Sequence, residues 1–278
     1  MKKQRAYGKK QTAKKIGRFS QLPCFFAACF SLFALCSCSK HDPILSGVRI
    51  PVFETGDIVV ENKTIPDGIL KIQNNGPRPA AGESRTYEQD AGNAVWEVSG
   101  DGPRRKIFSG LATTSRVDSQ RTPVVKNGFV YAGLSTGEVV KINPRKRAPV
   151  WVTDVYKQNA LTGGASILDI VAPVQVIDAA VYAGGLGDAF CKIRESSGSI
   201  IWCVNIGTAA PFLIAGGAAF VSDTNNHLYA ISLRNGEIFW KTEIKKQAAP
   251  EMSQDTDGNF IINVGREAFF ATSGTPVK

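Results

Sequence analysis

Histidine is almost absent from this 278-residue chain, which holds only His41 and His227. Zinc sites need clustered His and Cys ligands, so a zinc centre is excluded. A Ser-His-Asp site could draw only on His227, and no Gly-x-Ser-x-Gly elbow stands near it. Long apolar runs are lacking too. The longest, Leu22 to Leu35, has 14 residues, too few for a membrane span of roughly 20. No acid precedes Asp42, and no long stretch of the body shows a helical period.

The formal charge of +9 is a property of one end. Eight of the 33 bases lie before residue 19, and from Cys38 onward 25 bases face 24 acids. A nucleic-acid footprint needs a basic face on the folded body, so nucleic acid is removed from the expected partners. The basic start, the short apolar run and the small residues after it read as a secretory signal over residues 1–37. Leu35-Cys36-Ser37-Cys38 resembles a bacterial lipobox, with Cys38 as the residue that becomes the mature N-terminus. Several acyl chains on one cysteine, palmitate among them, give stable membrane anchoring. The alternative is ordinary cleavage near Ser37 and a free periplasmic protein. Ser39 after the cysteine, rather than Asp, resembles the sorting pattern that sends lipoproteins to the outer membrane, facing the periplasm.

Residues 38–87 are rich in Pro, Gly and Asn and are expected to act as a tether, with a strand at Asp57 to Glu61. Residues 88–278 carry an internal repeat. Tyr131, Tyr182 and Phe220 each precede a tryptophan by 20 residues: Trp151, Trp202 and Trp240. Gly198 and Gly236 stand four residues before their tryptophan, where the first copy has Arg147. Short apolar runs are bounded by turn residues such as Lys126-Asn127-Gly128 and Arg234-Asn235-Gly236. Tryptophan spacings of 51 and 38 residues match four-stranded propeller blades of about 40. The longer interval holds an insertion, residues 156–170, as a candidate functional loop. The fold class is therefore all-β, a propeller of four to five blades. A further copy starts at Pro250, and Asn93 to Val98, with Trp96, is expected to supply its missing strand.

A tryptophan at one site in every copy reads as packing between blades rather than as a ligand-stacking set. Asp255-Thr256-Asp257-Gly258-Asn259 looks faintly like a Ca²⁺ loop but lacks the distal Glu, so it reads as a turn. Gly184-Gly185-Leu186-Gly187 opens no helix and reads as a blade turn, not a phosphate loop. Cys191 and Cys203 flank the Ser196-Ser197-Gly198 turn at matching distances. Two readings stand: a disulfide across the hairpin, permitted in an oxidising compartment, or two small core residues.

Leu228-Tyr229-Ala230-Ile231, followed by Gly236 and Trp240, resembles the pyrroloquinoline-quinone-type propeller repeat. Joined to a lipobox, the repeat is similar to the BamB family of outer-membrane protein assembly lipoproteins. Leu45 to Val52 and Asp90 to Ala94 resemble segments of α-proteobacterial members. The resemblance implies a non-enzymatic scaffold without cofactor or metal. Its implied partners are the β-barrel assembly complex, unfolded outer-membrane proteins, and the membrane through the lipid anchor. Two departures stand out. The family has about eight blades, whereas residues 88–278 suit four to five. The Leu- and Arg-containing partner-binding loop is unrecognisable, so no contact residue is carried over. The rival is a periplasmic quinoprotein or another ligand-binding propeller. Quinoproteins of this repeat hold the quinone with an adjacent Cys-Cys pair, which the body lacks.

Overall fold

The computed structural model describes residues 58–72, 85–99, 102–113, 116–117, 122–156 and 167–277. All belong to a compact unit beginning at Gly56. The signal segment, Cys38, and residues 157–166 of the expected loop lie outside the described residues.

Eighteen strands and no helix occur among the described residues. Sheet 1 holds β1 (Arg85–Gln89), β2 (Ala94–Ser99) and β3 (Arg105–Ser109). Sheet 2 holds β4 (Val124–Lys126), β5 (Phe129–Gly133), β6 (Glu138–Asn143) and β7 (Ala148–Asp154). Sheet 3 holds β8 (Gln175–Ile177), β9 (Ala180–Gly185), β10 (Ala189–Arg194) and β11 (Ile200–Val204). Sheet 4 holds β12 (Leu213–Ala215), β13 (Ala218–Ser222), β14 (His227–Ser232) and β15 (Ile238–Glu243). Sheet 5 holds β16 (Pro250–Gln254), β17 (Phe260–Val264) and β18 (Glu267–Phe270). Every pairing is antiparallel between chain neighbours, so each sheet is a meander built from local hairpins.

One kind of turn recurs, joining β1 to β2, β13 to β14 and β16 to β17. The Asp90, Asp223 and Asp255 carboxylates each accept hydrogen bonds from the backbone N–H groups two and four residues on. Asx turns of this kind fold the chain back on itself. The Ca²⁺-like loop at Asp255 is thus a third copy of that turn, with Asn259 Nδ2 donating to the remaining oxygen at 2.9 Å.

Four apolar cores join the five sheets in series, one at each interface. In sheets 2, 3 and 4 the middle strands β5, β6, β9, β10, β13 and β14 are buried almost throughout. Strands covered on both faces by neighbouring blades read as continuous apolar runs, which is how the sequence presents them.

Two expectations need correction. The Asn93 to Val98 segment does not complete the sheet begun at Pro250. It forms β2, held between β1 and β3, because the Asp90 turn folds it onto the strand just before it. A local hairpin costs less closure entropy than a strand brought from the far end of the chain. Sheet 5 has three strands plus an isolated bridge, Phe269 to Pro276. The second correction concerns the tether. Residues 58–61 form no strand, yet the stretch from Ile58 to Ile72 lies against the blades. Ile65 and Leu70 are buried in the core of sheets 4 and 5.

Candidate functional site

The repeat residues assemble into one cross-strand row per sheet. Tyr131, Lys141 and Trp151 are in register across β5, β6 and β7. Tyr182, Lys192 and Trp202 form the same row in sheet 3, and Phe220, Ala230 and Trp240 in sheet 4. Just before each tryptophan the last strand carries a β-bulge. The bulge leaves room for the indole to turn toward the following sheet.

Each indole then docks on the third turn of the next sheet. Trp151 Nε1–H donates to the Glu195 carbonyl at 2.8 Å, Trp202 to Leu233 at 3.3 Å, and Trp240 to Ala271 at 3.0 Å. The ring lies on a glycine. A Cβ on Gly198 would meet Trp151 at 2.7 Å, one on Gly236 would meet Trp202 at 2.9 Å, and one on Gly274 would meet Trp240 at 2.6 Å. All three glycines also have positive φ, near 70–77°. Only glycine satisfies both demands. These tryptophans are joints between sheets: Trp151 and Trp240 are buried and Trp202 partly so.

Polar groups near the rows are committed to the same joints. Lys141 Nζ donates to Glu195 Oε1 at 2.5 Å, and Tyr131 Oη–H donates to the same carboxylate. Hydrogen bonds from Lys141 and then Tyr131 hold the Glu195 carboxyl below the usual carboxylate range. Burial, with Glu195 beside it, raises the Tyr131 hydroxyl. Burial pushes Tyr182 up to about 12. Lys192 is held below its ordinary value by burial and donates to the Leu233 carbonyl at 2.7 Å. The His227 ring meets Asp223 Oδ2 at 3.3 Å, inside the Asp223 turn.

Sheet 1 is a further copy that the spacing did not reveal. Tyr87, Glu97 and Arg105 occupy its cross-strand row, with Arg105 where the other sheets have tryptophan. Glu97 is buried and paired with both Arg85 and Arg105. Trp96 lies on the other face of β2, between Arg104 and Lys106, and its Nε1–H donates to Asp90 Oδ2 at 2.8 Å. The shared Asp90 turn was the signal that could have aligned this copy.

Cys191 and Cys203 are register partners in β10 and β11, with Cα atoms 4.1 Å apart, and their sulfurs are joined as a disulfide. The bond clips the outermost strand of sheet 3 to its neighbour.

The described surface offers edges more than pockets. A cleft of about 710 Å³ opens beside Gly216 and Gly217, between residues 68–71 and the turns of sheet 4. Its charged lining residues are Lys71, Arg234 and Glu237. Among the described residues no group of three or more His, Cys, Asp or Glu side chains could hold a metal. Two of the outermost strands, β7 and β11, present apolar side chains to solvent. Val150 and Val152 on β7 are 47% and 44% exposed, and Ile200 and Ile201 on β11 are 48% and 41% exposed.

Known proteins resemble this chain both in sequence and in fold. The family described as outer membrane protein assembly factor BamB matches residues 47–242. A curated relative of that name from Moranella endobia (strain PCIT) is 23% identical over 63% of this chain and 42% of its own. Another, from Yersinia pestis, is 24% identical over 63% of this chain and 41% of its own. The chain thus spans about two fifths of the length of these relatives. Among solved structures, BamB from Moraxella catarrhalis has a TM-score of 0.56 at 15% identity, over 70% of this chain and 60% of its own. That likeness concerns the propeller fold.

Proposed function

The chain belongs to the family of outer membrane protein assembly factor BamB, and from that membership we propose that it is a non-enzymatic scaffold of the outer-membrane assembly machinery. It docks the barrel-assembly subunit and holds unfolded barrel precursors in extended form. The observation that carries this reading is the division of labour among the residues. The polar groups near the repeat rows are spent on joining sheets, while apolar strand edges are left facing solvent. Rigid blades with open edges suit binding by strand addition.

Cys38 anchors the chain in the outer membrane on the periplasmic side. Of the stretch expected to act as a tether, the part from Ile58 to Leu70 packs on the blades instead.

The test is affinity purification of the lipidated protein from outer membranes. Co-purification of the barrel-assembly subunit, lost with Cys38→Ala, is the expected result. A bound quinone with dye-linked dehydrogenase activity overturns the scaffold reading.

A further inference from the structure

The chain contains its own example of an extended segment bound to a blade edge. Asn62 Nδ2 donates to the Lys241 carbonyl at 3.2 Å, and Lys241 N–H donates to Asn62 Oδ1 at 3.0 Å. One residue on, Lys63 N–H donates to the Phe239 carbonyl at 2.6 Å, and Ile65 N–H to Thr272 in the next turn at 2.8 Å. The segment therefore satisfies the outward backbone groups of β15 at alternate residues. It buries Ile65 beside the Trp240 joint and leaves Phe239 only 9% exposed.

The repeat places the same groups on β7. Val155 N–H bonds inward to Gly137, as Ile244 N–H bonds inward to Asn226, so the two last strands share one register. Val150 and Val152 then stand where Phe239 and Lys241 stand, and Ser196 where Thr272 stands. Among the described residues nothing occupies this edge, and Val150 and Val152 remain about half exposed. Pro149 and the bulge blunt only the start of β7. The same bulge precedes Trp240 and does not prevent docking on β15.

We infer that the outer edge of β7, with the β10–β11 turn beside it, is a binding site for an extended polypeptide segment with apolar side chains at alternate positions. The bound segment donates a backbone N–H to the Val150 carbonyl, exchanges hydrogen bonds with Val152, and lays an apolar side chain beside Trp151. The outward strands of membrane barrels alternate in this way. The natural ligand's identity rests on the assembly role proposed above; the site does not.

The test uses the soluble chain from Ser39 and a synthetic peptide of about ten residues alternating valine and threonine. A second peptide is N-methylated on alternate residues, which removes donors but keeps the apolar surface. Binding is read by fluorescence anisotropy, and its place by amide hydrogen exchange. The expected result is protection of Val152 and loss of about tenfold or more in affinity, both on N-methylation and in Val150→Lys/Val152→Lys. Equal affinity for the two peptides overturns the inference. So does protection confined to β15 through displacement of residues 58–65, or self-association through β7 without peptide. Binding of anionic phosphatidylglycerol vesicles, but not peptide, by the same valines assigns the surface to the membrane and also overturns it. Because no assembly subunit is present, peptide binding and co-purification fail independently.

Discussion

Replacing Gly236 by alanine tests the joint between sheets 3 and 4 directly. Two costs are expected. The residue sits at φ +77°, where an L side chain costs about 1–2 kcal/mol. The new Cβ would also lie 2.9 Å from the Trp202 ring, and overpacking of this kind costs about 1–3 kcal/mol. Gly128 separates the two costs, since it has φ +75° but open space for 4 Å around an added Cβ. Gly128→Ala should therefore lose about 1–2 kcal/mol, and Gly236→Ala about 2–5 kcal/mol. Urea unfolding followed by far-ultraviolet circular dichroism measures both. The Gly236→Ala/Trp202→Leu double variant should recover part of the excess, because the smaller side chain vacates the space the methyl needs. Equal losses for Gly128→Ala and Gly236→Ala, or strict additivity in the double variant, would refute the claim that the indole sets the glycine.

Other measurements follow from the same geometry. Removing the clip with Cys191→Ala/Cys203→Ala opens a loop of 12 residues' separation, and a stability loss of about 3 kcal/mol is expected under oxidising conditions; thiol titration of the unfolded wild type should find neither cysteine free. Glu195 has a folded pKa below its unfolded value, so its contribution is present above about pH 4.3 and is lost as pH falls through the folded value; Glu195→Gln should flatten that part of the stability–pH curve. Ile65→Asp puts a charge into the core of sheets 4 and 5 and should release the docked segment, seen as faster hydrogen exchange at Lys63 and Ile65 and as new proteolytic cleavage between residues 58 and 72.

The spacing of Tyr131, Tyr182 and Phe220 from their tryptophans was enough to identify the blades because each row is packed on both faces. Burial then leaves apolar residues at fixed intervals. Sheet 1 escaped because its row substitutes an ion pair. With Glu97 and Arg105 in place of the usual residues, no apolar period survives, and Trp96 drew attention although it lies on the opposite face. The docked segment escaped for a different reason. Its hydrogen bonds run through backbone groups, which any sequence supplies, and one Asn62 amide, while its buried anchors Ile65 and Leu70 are too few and too irregularly spaced to show a period. Open strand edges share that property: they are features of register, visible only once the strands are paired.

Arg147 ties these observations together. It occupies the turn position of Gly198, Gly236 and Gly274, and it too has positive φ, at 51°. Left-handed backbone alone therefore does not demand glycine in this repeat; an L residue is carried there at a cost of about 1–2 kcal/mol. What differs is the preceding sheet. Sheets 2, 3 and 4 each aim a tryptophan at the next turn, whereas sheet 1 has Arg105 in that place. Where no indole arrives, the turn is free to carry a side chain. The sequence difference between Arg147 and the later glycines is thus an effect of a change some 40 residues earlier. It marks the first interface as one joined without a tryptophan, and the glycine and tryptophan of neighbouring copies as a single unit of design.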